Sequence, residues 1–179
     1  MGSIIKILPH YTYAEYEKWE GQWELIEGIA YAMSPLPVPK HQHIASNILI
    51  EFGLPLKKCN KCTVYQPLDY HISDDTILQP DMLIVCREIT KKYLDFPPVL
   101  VAEVLSPATA LKDRHSKYSL YESQGIKYYL IISPDTQEAE IYELENSVYQ
   151  LKEKGRNIIY HFFFEDCEAV IDFKEIWYS

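Results

Sequence analysis

Residues 98–133 read PVLVAEVLSPATALKDRHSKYSLYESQGIKYYLIIS, and the order of patterns within them decides the fold class. Pro98 to Leu105 is nearly continuous apolar sequence, as expected for a strand covered on both faces. Ala108 to about Ser123 reads as a helix, and Gly125 is placed to stop it. Lys127 to Ser133 is a second buried strand. Strand, helix and strand in close succession predict a parallel crossover unit inside a mixed sheet.

The flanking sequence adds strands on both sides. Upstream, Asp81 to Cys86 is a strand entered from Gln79-Pro80, and Cys62 to Ile72 alternates enough to be another. His41 to about Phe52 carries Ile44, Ile48 and Leu49 at helical spacing, with Gly53 and Pro55 expected to end the helix. Trp23 to Met33 reads as a hairpin turning at Glu27-Gly28, where glycine supplies a positive φ. The proline-rich run Ser34 to Pro39 is a loop before the helix. Downstream, Ala139 to Leu144 and Val148 to Leu151 form a hairpin across Glu145-Asn146-Ser147, and Ile158 to Phe164 adds a strand. The class is α/β or α+β, a central mixed sheet flanked by few helices. With no repeat, low-complexity tail or long linker, residues 1–179 are expected to make one domain.

Composition narrows the setting. The chain is 47% hydrophobic and 24% charged, which supplies a core without a staple. No run approaches the roughly 18 apolar residues of a membrane helix, and no signal peptide is visible, so the cytoplasm is the expected compartment. The net charge of −9 argues against indiscriminate nucleic-acid binding but leaves room for a local basic patch. Cys59-Asn60-Lys61-Cys62 has the spacing of half a zinc site, yet no second pair at matching spacing follows. Free thiols are therefore expected at Cys59, Cys62, Cys86 and Cys167.

Glu103 interrupts the most apolar strand, between Val101-Ala102 and Val104-Leu105. A carboxylate there is costly unless it is paired, hydrogen-bonded or bound to a metal, although a solvent-facing strand edge would also accommodate it. Asp81, following Pro80, is by itself an ordinary turn or cap residue. If the two strands are neighbours, both acids lie at one end of the sheet, and a divalent cation or a proton must separate them. Hard oxygen ligands of this kind favour Mg²⁺ or Mn²⁺. Asp113 and Lys117 are four apart on the following helix, which is the spacing of a surface salt bridge and also that of a lysine aimed at the acids. Lys112, Arg114 and His115 make that helix locally basic, which suits a phosphate backbone.

Together Gln79-Pro80-Asp81, Ala102-Glu103-Val104-Leu105-Ser106-Pro107, Asp113-Arg114-His115-Ser116-Lys117-Tyr118, Tyr121 and Gly125-Ile126 resemble the signature of the Uma-type restriction endonucleases of the PD-(D/E)XK superfamily. The resemblance extends to Glu24-Leu25-Ile26-Glu27-Gly28, Met33-Ser34-Pro35, His41-Gln42-His43-Ile44 and Tyr128 to Pro134, so it spans about Tyr13 to Tyr142. It implies a restriction-endonuclease-like fold and metal-dependent hydrolysis of DNA phosphodiesters, often by a homodimer. Asp81 and Glu103 would be the paired acids of the motif, with the carbonyl of Val104 a further metal ligand. The superfamily lysine two residues after the second acid is replaced by Leu105 and maps instead to Lys117. Glu24 resembles an upstream acid that can complete the metal site, His41 matches a family position at the first helix, and Asp113 belongs to the lysine motif. The other reading is a fold relative that binds DNA or a protein partner without cutting.

Overall fold

The computed structural model describes residues 8–33, 38–107 and 109–177. Of the loop expected from Ser34 to Pro39, Ser34 to Pro37 lie outside them, as do the expected helix start at Ala108 and both chain ends, while Pro39 already belongs to the first long helix. In chain order the elements are α1 (Tyr13–Tyr16), β1 (Trp23–Ile26), β2 (Ile29–Ala32), α2 (Pro39–Cys59), β3 (Thr63–Tyr65), β4 (Tyr70–Ser73), β5 (Thr76–Leu78), β6 (Met82–Val85) and β7 (Leu100–Val104). Then come α3 (Ala110–Lys112), a π-helical turn (Asp113–Lys117), α4 (Tyr118–Ser123), β8 (Tyr128–Ser133), β9 (Glu138–Glu145), β10 (Val148–Gly155), β11 (Ile159–Phe164) and β12 (Cys167–Asp172), with a final 3₁₀ turn (Phe173–Ile176).

The central sheet has six strands in the order β10-β9-β8-β7-β6-β3, and only β7 and β8 run parallel. This is the crossover unit expected from residues 98–133, and the sheet around it is mixed. Every residue of β7 is buried because both faces are covered. Leu100, Ala102 and Val104 face Ile44, Ile48, Phe52 and Leu56 of α2. Val101 faces the opposite way, with Leu83, Tyr129, Ile131 and Tyr121 of α4. The period-2 side-chain alternation of a strand thus separates two cores.

A smaller sheet, β2-β1-β5-β4, carries the hairpin expected at Glu27-Gly28. Both turn residues have positive φ, 49° at Glu27 and 76° at Gly28. That is the primed geometry matching the twist of the flanking strands. A Cβ at Gly28 would also lie 2.2 Å from the ring of His10.

Four expectations are corrected. The span Cys62 to Ile72 is not one strand: β3 and β4 belong to different sheets. β5 and β12 escaped the pattern reading, being short or alternating without a strong apolar run. The helix from His41 does not stop at Gly53 but continues to Cys59, where Asn60 takes the left-handed conformation. Phe52 and Leu56 extend its buried face across both breakers, so tertiary packing overrides local propensity. Lastly, the cysteines are not free: Cys59 pairs with Cys167 and Cys62 with Cys86.

Pro55 lies inside α2, where it removes a donor to the preceding turn and crowds a carbonyl. Replacing it should relieve that cost, less the loss of proline's stiffening of the unfolded chain. Pro55→Ala is expected to raise the unfolding free energy by about 1–3 kcal/mol, read from urea denaturation. An unchanged or lowered midpoint would show that the helix is not strained there.

Candidate active site

The antiparallel register of β6 and β7 pairs Met82 with Ala102, so Asp81 and Glu103 fall opposite each other one step beyond it. Asp81 Oδ2 accepts a 2.7 Å hydrogen bond from the backbone N–H of Val104 and stands 3.4 Å from His41 Nε2. His41 comes from the first turn of α2 and also bonds the backbone of Val104. Burial lowers the proton affinity of His41, but the hydrogen bond to and charge of Asp81, with the Val104 backbone and Asp113, together outweigh burial and raise it. Its Nδ1 is buried with no partner among the described residues.

On the other side of Glu103 lies a buried ion network. Lys117, with 1% of its side chain exposed, places Nζ 2.7 Å from Glu24 Oε1, 2.8 Å from Glu103 Oε1 and 3.4 Å from Asp113 Oδ1. Glu24, fully buried on β1, accepts from Lys112 Nζ and, at 2.9 Å, from the backbone N–H of Gln79. Glu103 accepts a 2.7 Å bond from the Tyr121 hydroxyl. Three chain segments distant in sequence therefore meet at one ammonium group.

The helix delivers these residues through its π turn. Asp113, Lys117 and Tyr121 recur every four positions and are all buried. The Tyr129 hydroxyl, rising from β8, donates to the Asp113 carbonyl at 2.8 Å. A side chain bonded into a helix's carbonyl ladder is a recognised cause of local distortion, and single π turns recur at functional sites. Arg114 ties the same turn to β9 through both carboxylate oxygens of Glu140, at 3.0 and 3.1 Å. The basic face expected on this helix is thus largely consumed, since Lys112 and Arg114 are both ion-paired.

The two partners of the Lys117–Glu103 pair are pushed the same way on the pH scale. Burial disfavours the ammonium, yet Glu103, Glu24 and Asp113 together hold Lys117 protonated well past the ordinary lysine range. Burial would raise Glu24, but Lys117 and Lys112 keep it ionised below the usual glutamate range. Glu103 goes the other way: full burial, offset only in part by Lys117 and aggravated by Asp113, Asp81 and Glu24, raises its carboxyl well above 4.5. Burial likewise raises Asp113. Glu24 is thus held below the glutamate range, while Glu103 keeps a raised proton affinity despite its 2.8 Å contact with Lys117.

Among the described residues, no group of three His, Cys, Asp or Glu side chains is arranged to hold a metal as the side chains stand. The facing pair Asp81 and Glu103 nonetheless fits the modest demand of Mg²⁺, which commonly takes one or two carboxylates and keeps several waters. The surplus proton affinity of Glu103 marks where a cation would be electrostatically welcome. Glu24, Asp81, Glu103, Asp113, Lys117 and His41, all singled out in the sequence, come together here. Tyr121 and the Gln79 N–H had no assigned part, and Lys112, expected to offer its charge to a phosphate backbone, is paired with Glu24. The i, i+4 spacing running from Asp113 through Lys117 to Tyr121 was the signal for the tyrosine.

Sheet order, parallel β7–β8 crossover and flanking helices define a restriction-endonuclease-like fold. A solved structure described as a "putative nuclease belonging to DUF820", from Anabaena variabilis ATCC 29413, shares it with a TM-score of 0.75 and 18% identity, over 93% of this chain and 97% of that one. The family model Uma2, described as "Putative restriction endonuclease", matches residues 13–165, and the chain belongs to that family. No curated protein matches the chain.

Two substitutions probe the network. Lys117→Ala takes the ammonium from Glu103 and leaves Glu24 with Lys112 alone, and is expected to cost about 3–5 kcal/mol at neutral pH, read by chemical denaturation. A loss under 1 kcal/mol would mean that the pairs contribute little. Glu103→Gln keeps the acceptor oxygen but cannot ionise. Because the folded-state pKa of Glu103 is raised, its stabilising contribution is complete below 4.5 and is lost as pH climbs through the folded value. In metal-free buffer the Gln variant should therefore become progressively more stable than the wild type as pH rises from 5 to 8. A gap that stays constant over this range contradicts the assignment.

Proposed function

We propose that the chain is a metal-dependent endonuclease that hydrolyses phosphodiester bonds in DNA. The observation that supports it is the facing pair Asp81 and Glu103, one acid anchored on a backbone N–H and the other held with more proton affinity than its surroundings satisfy. Asp81, Glu103 and the carbonyl of Val104 would hold Mg²⁺ or Mn²⁺, with Glu24 next in line. When bound, the ion supplies Lewis acidity at the phosphate and a water acidified enough to attack at neutral pH.

The chain's own residues do the rest. Asp81 keeps 19% of its side chain exposed while Glu24, Glu103 and Lys117 keep 3% or less, so the phosphate approaches from the Asp81 side. His41, beside Asp81, carries a buried and unpartnered Nδ1, and in its protonated form, which Asp81 favours, it would set a positive charge against a phosphate oxygen. Lys117 fixes the carboxylate of Glu103 and offsets negative charge that develops behind it. Asp113 and Tyr121 hold Lys117 and Glu103 in place. A homodimer would present two such sites to a duplex.

One observation favours a second reading, a relative that binds DNA or a protein without cutting. Lys117 is already saturated by carboxylates, and Glu24 by Lys112. A network neutralised in this way can stand as structure alone. The deciding experiment incubates the full chain with supercoiled plasmid and with single-stranded DNA in Mg²⁺ or Mn²⁺, beside Asp81→Ala prepared identically. Metal-dependent cutting by the wild type, absent in Asp81→Ala, is the expected result. Equal cutting by both, or none on any substrate, overturns the nuclease reading in favour of the binding one.

A further inference from the structure

On the face of the small sheet turned away from Lys117, the chain gathers aromatic rings without sealing them into a core. Trp23 and Leu25 alternate with Glu24 along β1, so they point to that face while Glu24 points to the ion network. Around Trp23 stand Tyr13 and Tyr16 of α1, Trp19, and Tyr93 from the loop between β6 and β7. Tyr16 is buried, but the other four stay partly exposed. They line a pocket of about 220 Å³, whose remaining walls are Glu17, Gly21, Asp69, Gln79 and Lys92. That is smaller than the roughly 300–1,000 Å³ of a drug-sized site and suits one planar ring system.

The rings are held in place by the fold itself. Tyr13 stacks on His71 of β4 at 4.6 Å, Tyr93 meets both edge-on, and Trp19 packs against Tyr16 and Trp23 at 5.6 and 5.4 Å. Trp23 Nε1 donates to the Glu20 carbonyl at 2.8 Å. The loop carrying Tyr93 is laced to β4: the Leu94 N–H donates to the Asp69 carbonyl and the His71 N–H to that of Leu94, both at 2.8 Å. Walls ordered in advance spare a ligand the cost of ordering them.

The polar end of the pocket is made of acceptors. Gln79 Nε2 donates to Asp69 Oδ1 at 2.6 Å, and the Tyr16 hydroxyl lies 3.1 Å from the same oxygen. A carboxylate only accepts, so the Gln79 amide turns its nitrogen there and keeps Oε1 as a second acceptor. Among the described residues, neither Asp69 Oδ2 nor Gln79 Oε1 takes a hydrogen bond, and neither is shut off from solvent. Of the four bases, guanine alone carries donors on two adjacent atoms of one edge, N1–H and N2–H₂. Adenine and cytosine set one amino group beside a bare acceptor, and thymine one N–H between two carbonyls. Aromatic walls with two carboxylates also suit an organic cation. Lys92 argues against one: paired with Glu17 at 3.6 Å, it already lies over the Tyr13 ring at 5.9 Å and would repel a second positive charge.

The pocket lies beside the acid pair. Leu25 pairs with Ile77, which brings Trp23 next to Gln79 at the end of the small sheet from which the chain leaves for Asp81. Gln79 serves both sides, its backbone N–H bonded to Glu24 and its side chain to Asp69. We propose that this pocket takes an unstacked guanine of the nucleic acid whose backbone lies at Asp81, with its ring against the aromatic walls and its N1–H and N2–H₂ edge on Asp69 and Gln79. Stacking on these rings offsets the cost of taking the base out of its own stack. The proposal rests on the nuclease reading for the strand that brings the base, but the pocket's own binding is measured apart from cutting.

The test titrates the metal-free full chain, wild type and Asp81→Ala, with each of the four deoxynucleoside monophosphates and follows tryptophan fluorescence. Two of the three tryptophans line the pocket, while Trp177 packs in the core with α2. Saturable quenching by deoxyguanosine monophosphate is expected in both proteins, at concentrations at least about tenfold lower than for the other three, the discrimination of one well-made bidentate contact. The quenching should persist in Trp177→Phe and shrink in Trp19→Phe. It should lose its preference for guanine in Asp69→Asn, whose oxygen stays with Gln79 and whose N–H₂ meets the donors of the base; circular dichroism checks that each variant folds. No quenching by any nucleotide, equal quenching by all four, quenching that vanishes in Trp177→Phe, or a guanine preference that survives Asp69→Asn overturns the proposal. So does quenching by tetramethylammonium in place of the nucleotides, which would make the pocket a cation cage. Guanine binding by a chain that cuts nothing would sink the nuclease reading alone, and cutting without guanine binding would sink this one alone.

Discussion

The constraint on which the structure depends is the burial of a full positive charge at Lys117. An ammonium removed from water loses several kcal/mol of solvation even after its surroundings relax, and only close, well-placed carboxylates recover it. Glu24 and Glu103 do so within 2.8 Å. Glu24 belongs to the small sheet, Glu103 to the large one and Lys117 to the helix between β7 and β8. Satisfying one charge therefore fixes how three elements sit against one another. The bond from the Gln79 N–H to Glu24 carries the constraint on to the chain leading into Asp81. A hydrophobic residue in place of Lys117 could pack as well, but it would specify none of this geometry.

The same network leaves one acid in excess. Glu24 is served by two lysines, and Asp81 by a backbone N–H and His41, while Glu103 must share Lys117 and faces three other carboxylates. Proteins tolerate such local dissatisfaction where a ligand is to be accommodated, because a site neutral in its own right has no reason to attract a cation. Burial and ionisation pull against each other at Glu103. The apolar packing of β7, covered on both faces, holds the carboxyl in that position despite its cost.

How much of this was legible in the sequence follows from where the determining forces lie. The crossover at 98–133, the hairpin at Glu27-Gly28 and the hairpin at Asn146-Ser147 are set by local periodicity and turn chemistry, and the structure forms them where the patterns place them. The end of α2 was not legible, because Gly53 and Pro55 act locally while the burial of Phe52 and Leu56 is a tertiary effect. The π turn was hidden for a similar reason: it involves the hydroxyl of Tyr129, which lies on a strand later in the chain. At the candidate site, the identities of Glu24, Asp81, Glu103 and Lys117 could be read from motifs. The pairing of Lys112 with Glu24 could not, since no spacing links residues 88 apart. The cysteine pairs failed as a sequence reading on the same ground, because spacing along the chain says little about distance across a sheet.

The absent lysine two residues after Glu103 has a geometric explanation. In a strand, positions 101, 103 and 105 share a face, and Val101 and Leu105 do pack into the same core as Tyr121. A lysine at position 105 would extend along that face toward the acid from within the strand. Here the position is spent on apolar packing, and the face is covered by the helix that carries Lys117. Because this helix crosses over the same face, a lysine at its π turn reaches the carboxylate from above, at 2.8 Å. The demand is for one cation at one carboxylate, and either element can meet it. Lysine from the helix also reaches Glu24, which couples the small sheet to the acid pair. With Leu105 spent on packing, the cation beside Glu103 comes from the helix.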